Sequence, residues 1–313
     1  MLMVRQEFWG WLIAGYLFLG GTAGLVVPIS YYYYRRDGNK VLGAAGGLLA
    51  FIAMVAGLAL LLLDLGRPQN VLALFTSPRL NLTSWMTIGT YIISAYTIVA
   101  GVYAAGFLSW LRIPVFRMMG FLRRLIGPTG ILASVLGVST ALYTGFLLAA
   151  ARGVEFWNQP LMPVLFLASA LSCGLCAYCA IVAPILFKVK SREFLEAAVK
   201  IRLELQRLDT YTLGFELILL FAMIDIALGG TPAQRESASL LVAGDLAPIF
   251  WVGVILVGII IPMMIMFGYT LRRHEESAKI VLVSAVAGWL VLIGSLLLRY
   301  AILSAGIIPA PLL

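Results

Sequence analysis

The chain has 313 residues, of which 62% are hydrophobic and only 12% charged. Soluble domains carry about 25% charged residues, so the composition excludes a soluble globular protein and points to a polytopic membrane protein. The formal charge is +8, but the basic residues are spread over separate loops and no soluble domain exists to carry a nucleic-acid-binding face; anionic lipid and membrane orientation account for them better.

A crossing helix needs about 20 predominantly apolar residues. Eight segments qualify, at 8–34, 41–64, 84–108, 128–151, 161–187, 211–230, 246–270 and 279–301. The stretch before the first, Met1 to Glu7, is short and carries one Arg, and the apolar run after it is too long for a signal-peptide core, so it reads as a retained first helix. Tyr31 to Tyr34, just before Arg35 and Arg36, have the character of an interfacial aromatic belt. The second span ends in Leu63-Asp64-Leu65-Gly66-Arg67-Pro68: an acid, then an arginine three residues later, then a helix-stopping proline. The fourth span carries Tyr143. The loop behind it, Arg152 to Pro160, contains Glu155, Trp157 and Asn158.

The fifth span holds Cys173, Cys176 and Cys179 at i, i+3, i+6, among Ser169, Ser172 and Gly174. With no His or fourth ligand nearby, small residues that allow close helix packing explain this pattern better than a metal site. Residues 188–209 alternate charges with Phe194, Leu195, Val199, Ile201, Leu203 and Leu205, which predicts an amphipathic helix on the inner membrane surface. The sixth span carries Glu216 and Asp225. Nine residues at 100° each put them half a turn out of phase, on opposite faces. Arg299 lies near the end of the eighth span, where it would snorkel to water or pair with Asp225.

The loops after the first, third, fifth and seventh spans contain sixteen of the 22 Lys and Arg residues, against Arg5, Arg67, Arg79, Arg152, Arg235 and Arg299 on the other side. The positive-inside rule places the sixteen in the cytoplasm. The expected fold is therefore an all-α integral membrane protein of eight transmembrane helices in two four-helix bundles, with both termini extracytoplasmic. Residues 1–187 would form the first bundle, 188–210 a cytoplasmic amphipathic connector and 211–313 the second bundle.

This topology sets Tyr16, Tyr143, Asp64, Arg67 and the Trp157–Asn158 loop at one level in the outer half of the membrane. Ionisable groups there are costly and mark sites, and the set suits a ligand with a polar head and an apolar tail. The plainer alternative is that the two tyrosines are interhelical hydrogen-bonders and Asp64–Arg67 a clamp on the loop. His274 is the only histidine and sits in a basic loop, whereas bis-histidine haem needs two within the bundle.

Gln6-Glu7-Phe8-Trp9-Gly10-Trp11 resembles the opening of the NrfD/PsrC (polysulfide reductase membrane-subunit) family. Asp64-Leu65-Gly66-Arg67-Pro68 with Ser84-Trp85-Met86 and Gly89, and Tyr143-Thr144-Gly145-Phe146-Leu147-Leu148 with Trp157-Asn158 through Ser169, are similar to its two further motif blocks. The motifs cover the chain to about residue 180; beyond it the match is in helix count and hydropathy. The resemblance implies a haem-free, quinone-reactive membrane anchor of a respiratory oxidoreductase in the prokaryotic cytoplasmic membrane. It implies menaquinone or ubiquinone near the outer face and an extracytoplasmic ferredoxin-like subunit with four iron–sulfur clusters. A molybdopterin catalytic subunit or a multihaem cytochrome would complete the complex.

Carried onto this sequence, Asp64, Arg67 and Tyr143 fall beside the quinone and Trp157 and Asn158 on the loop covering it; Tyr16 joins them by depth. Some relatives have a histidine and an asparagine on the first helix, where this chain has Tyr16 and Ile13. In this reading Tyr143 hydrogen-bonds a quinone oxygen and Asp64 exchanges the proton. A proton path through Glu216, Asp225 and Arg299 is a second expectation. A secondary transporter, or a structural anchor lacking a working quinone site, are the competing readings.

Overall fold

A computed structural model describes residues 3–66, 84–110, 120–188, 192–271 and 278–309. The helices are α1 (Trp11–Asp37), α2 (Lys40–Asp64), α3 (Trp85–Trp110), α4 (Leu122–Ala149), α5 (Met162–Lys188), α6 (Arg192–Leu228) and the short α7 (Pro232–Val242). The seventh span opens as π-helix over Ile249–Ile260 and continues as α8 (Ile261–Leu271), and α9 is Ala278–Ser304. Eight of these stretches are long and apolar enough to cross a membrane, as the hydropathy pattern predicts.

Two boundaries differ from the sequence reading. The fourth span starts at Leu122 rather than 128: Pro128 lies inside the helix, where its missing N–H removes one bond, to the carbonyl of Arg124, without ending the helix. The surface connector expected over 188–210 is not a separate helix. α6 runs unbroken from Arg192 to Leu228, and its residues Ile201, Arg202, Leu205, Gln206 and Asp209 are buried. Their spacing gives one inward face, so a segment whose charges suggested a surface helix belongs to the sixth span.

α1 packs on α2 and α4, and α3 packs between α2 and α4, closing the first bundle. The second bundle is α5, α6, the π-helical segment with α8, and α9. The division at 187 placed five spans in the first unit; the fifth helix packs on α1 and α4 as well as on α6 and α9 and so forms the seam, where α1 also touches α9. Within the first bundle, α1 and α4 meet backbone to backbone where Gly24 faces Gly137, and a Cβ on either would strike the other's carbonyl. Tyr96 of α3 reaches over this crossing and donates to the carbonyl oxygen of Ala23. Without a hydrophobic driving force between helices in lipid, such close approach is what gives the crossing its packing energy.

Both ends of the seam are tied. On the side carrying the termini, β1 (Met3–Arg5) pairs antiparallel with β2 (Ile307–Pro309), and Gln6 Nε2 donates to the carbonyls of Trp9 (2.9 Å) and Leu303 (2.8 Å). On the opposite, basic side, Arg36 of α1 pairs with Glu204 of α6 at 2.6 Å and lies 4.8 Å over the Tyr33 ring. The tyrosine run does not form a simple belt. Consecutive helical residues turn by 100°, so only Tyr32 is exposed while Tyr33 is buried and stacks 6.1 Å from Tyr178.

Gly137→Val should force α1 and α4 apart and cost about 1–3 kcal/mol or more, read as a lower melting temperature of the purified protein in detergent. Gly127→Ala, on the same helix but with open space around it, should be neutral or stabilise by up to about 1 kcal/mol.

Candidate functional site

On the termini side a cleft of ≈ 670 Å³ opens between the start of α3, the end of α4 and the following loop. Trp9, Ser84, Trp85, Met86, Leu147, Arg152 and Asn158 line it. Its volume lies within the range of small-molecule sites, about 300–1,000 Å³. Two indoles supply flat apolar walls, and a guanidinium, a carboxamide and a hydroxyl supply donors. Trp85 is held by stacking on Phe146 at 4.7 Å, with the planes 6° apart.

Tyr143 lies one helical turn below Leu147 and is 5% exposed. Its ring rests directly on Gly89 of α3, in the space a Cβ would occupy. This is the physical reason for glycine in the Ser84-Trp85-Met86…Gly89 block: the same turn of α3 that walls the cleft makes room for the tyrosine under it. Tyr16 of α1 is also buried and within electrostatic reach of Tyr143, so the structure brings together the two tyrosines that shared a predicted depth.

Asp64 ends α2 half-buried on this side. One turn earlier, Leu60 Cδ1 packs against Gly15, beside Tyr16. Arg67 lies outside the described residues, and so does the Asp64–Arg67 pairing.

Trp157 stands differently from its expected place over a ligand. It is fully buried, and its Nε1–H donates to the Ile302 carbonyl at 2.9 Å. Its ring lies parallel to Trp9, centroids 5.2 Å apart. Trp157 therefore pins the α4–α5 loop to α9 and backs Trp9, and it is Trp9 that faces the cleft. Trp9 stood in the opening motif, but nothing in its spacing showed that the N-terminus folds over the far end of α4. Asn158, next in the loop, is exposed and does line the cleft.

A second polar group is buried where α1, α5, α6 and α9 meet. Arg299 is fully buried; its Nη1 donates to Ser169 Oγ (3.1 Å) and to the carbonyl (2.9 Å) and hydroxyl (2.5 Å) of Ser295. The guanidinium sits 5.4 Å from the Phe166 ring centroid and 5.9 Å from that of Phe18. Glu216, 3% exposed, interacts with Ser169 and with the Arg299 charge. Asp225 is exposed and stands apart from this group. The pairing expected between Arg299 and Asp225 does not form, because a helical side chain leans toward its own N-terminus, which carries Arg299 down toward Glu216 and away from the end of α6 that holds Asp225.

Asp209, absent from the sequence-based candidates, is 1% exposed. It accepts from Ser172 Oγ at 2.5 Å and Cys176 Sγ at 3.1 Å. An ionisable residue at the centre of a spanning helix costs about 2.5–3.5 kcal/mol on insertion scales, so two acids and Arg299 in one seam form an expensive arrangement for packing alone. Seven residues separate Asp209 from Glu216, within 20° of the same face. That signal was present in the sequence but was obscured when 188–209 read as a surface helix.

This geometry defines a polytopic helical membrane protein with a cleft on one face and a polar seam inside. A family model described as "Polysulphide reductase, NrfD" matches residues 2–310, well past the region where motifs are visible, and the chain belongs to that family. It is 32% identical to the C chain of the polysulfide reductase of Wolinella succinogenes, over 95% of this chain and 94% of that one. It is 31% identical to the protein NrfD of Escherichia coli, over 95% and 94%. It is 24% identical to the C subunit of the selenate reductase of Mesobacillus selenatarsenatis, over 98% of this chain and 75% of that one. The protein is a multi-pass protein of the prokaryotic inner membrane.

Replacing Trp157 by Phe should leave the Ile302 carbonyl buried without its donor and cost about 1–3 kcal/mol, visible as a lower melting temperature with helix content unchanged by circular dichroism.

Proposed function

We propose that the chain is the haem-free membrane anchor and quinone-reactive subunit of a multi-subunit respiratory oxidoreductase, with the quinone head group in the termini-side cleft. The observation that carries this reading is the cleft itself: residues of three separate motif blocks, Trp9, Ser84–Met86 and Asn158, converge on it directly above Tyr143. The Lys and Arg count supports an extracytoplasmic position for this face. Relatives named as the C components of polysulfide and selenate reductases support a place beside a catalytic subunit. A ferredoxin-like four-cluster iron–sulfur subunit on the outer face, with a molybdopterin protein or multihaem cytochrome beyond it, fits that place.

A quinone bound in the cleft supplies two-electron, two-proton chemistry to the partner subunit. The residues of this chain bind it and manage its protons. The indoles of Trp9 and Trp85 flank a flat ring. Asn158 and Arg152 offer donors to the outward oxygen. The Tyr143 hydroxyl, one turn below the floor, donates to the inward oxygen, with Tyr16 beside it. Asp64, at the rim of α2, accepts the proton that leaves a quinol and passes it to the outer water. The pinned Trp157 keeps Trp9 and the loop in place so that the ring is held out of water.

In the assembled complex, Tyr143→Phe and Asp64→Asn should each lower quinone turnover by about 10²-fold or more. Gly89→Ala, which drives the Tyr143 ring from its seat, should weaken quinone binding while Tyr143 itself is retained. Full turnover in both Tyr143→Phe and Asp64→Asn would sink the assignment.

A further inference from the structure

A helix leaves its last four carbonyls without partners inside the helix. At the end of α9, Ala301 accepts from the N–H of Ala305, just beyond the helix. The next three carbonyls accept from side chains distant in sequence. Ile302 takes the Trp157 Nε1–H at 2.9 Å, Leu303 the Gln6 Nε2–H at 2.8 Å and Ser304 the Arg5 Nε–H at 2.6 Å. The Gly306 carbonyl accepts the Gln6 backbone N–H at 2.9 Å. The Trp157 ring rests against Gly306, where a Cβ would lie 2.8 Å from its Cζ2. The end of α9 is therefore the support on which both the N-terminal segment and the α4–α5 loop are fixed.

Gln6 also holds Trp9. Its Nε2 donates to the Trp9 carbonyl at 2.9 Å, and its Oε1 accepts the Trp9 N–H at 2.9 Å. One carboxamide thus satisfies both backbone groups of the residue whose indole walls the cleft, and ties them to α9. Reversing the amide would set its oxygen against two carbonyl oxygens, so only this orientation fits. Gln6 is 5% exposed, whereas Glu7 and Phe8, between it and Trp9, are exposed. The chain loops outward over two residues, and the Gln6 side chain closes that loop from within. Trp9 stands two residues ahead of α1 with Gly10 between, so the helix does not fix its backbone, and Trp157 meets it ring to ring.

We propose that Gln6 is a positioning residue for this cleft: through the backbone of Trp9 it sets the plane in which the indole meets a flat ligand ring, with the end of α9 as its support. A wall already in place need not be ordered when a ring binds, whereas a Trp9 free to turn must be ordered each time. The groups that handle protons in the quinone reading, Tyr143 and Asp64, belong to α4 and α2. Loss of the carboxamide therefore weakens binding and leaves the chemistry of the bound ligand as it was. This gives the glutamine of the opening motif its purpose, three residues ahead of the tryptophan it serves. The identity of the ligand rests on the quinone reading above; the hold of Gln6 on Trp9 does not.

Fluorine NMR of the full chain, labelled with 5-fluorotryptophan, tests the hold directly. The Trp9 resonance, identified by its loss in Trp9→Phe, should move or broaden in Gln6→Leu. It should stay in place in Arg5→Gln, because the Arg5 bond to the same helix end runs to Ser304. A Trp9 resonance unmoved by Gln6→Leu, or moved as far by Arg5→Gln, overturns the proposal. Should Gln6→Leu fail to fold, Gln6→Glu carries the same expectations here and below, since it keeps an acceptor for the Trp9 N–H but offers the two carbonyls no N–H.

Steady-state kinetics of the assembled complex, with menadiol as donor or menadione as acceptor, test the consequence. Gln6→Leu should raise KM by about five- to tenfold, the effect of ordering one more side chain on binding, with kcat little changed. Arg5→Gln should lower the melting temperature and leave KM as it was. In a Trp9→Ala background, where the indole is gone, Gln6→Leu should change KM by less than about twofold. A wild-type KM in Gln6→Leu, or an equal rise with and without the Trp9 indole, overturns the proposal and leaves the quinone site standing. A wild-type complex that turns over neither compound sinks the quinone reading instead, and the fluorine resonance still decides whether Gln6 holds Trp9.

Discussion

A guanidinium taken out of water must find its partners in the protein, and the burial of Arg299 organises the centre of this molecule. Its donors go to Ser169 and Ser295, its faces to Phe18 and Phe166, and its charge to Glu216. Those residues come from α1, α5, α6 and α9, so one side chain requires both bundles to be in place at once. Close packing of small residues adds to the holding. The ends of the seam are closed by local chemistry, a strand pair with the Trp157 anchor on one side and Arg36–Glu204 on the other.

The cleft on the termini side depends on the same seam. Trp9 reaches it because the N-terminal strand is paired to the C-terminal one, and Trp9 keeps its angle because Trp157 lies flat behind it with its N–H spent on α9. The motif residues therefore divide into those that face the cleft, such as Ser84, Trp85 and Asn158, and those that hold the wall, such as Trp157 and Gly89. Adjacent residues in the chain, Trp157 and Asn158, fall on opposite sides of that division because one turns into the seam and the other toward water.

The eight spans were legible because hydrocarbon imposes length and apolarity on every crossing segment. The grouping of Tyr16 and Tyr143 was legible too, since depth along a helix follows from residue count. Asp209 was missed for a physical reason. Arg202, Gln206 and Asp209 make residues near 200 look solvated, and the hydropathy of a segment reports its average, not the direction in which each side chain points. The placement of Arg299 near Glu216 rather than Asp225 was missed because it depends on which helices meet.

The amino-acid sequence alone determines that this chain lives in a membrane, that it has eight segments able to cross it, that its basic residues gather in alternate loops, and which family motifs it bears. These are one-dimensional properties, set by composition and count. Only the tertiary structure decides that α5 packs against both bundles, that Trp157 is an anchor while Trp9 lines the cleft, and that two acids on α6 share a face with the hydroxyls and thiols of α5. Those facts arise where helices distant in sequence touch, and the hydrophobic pattern is silent there because lipid and protein neighbours are equally apolar.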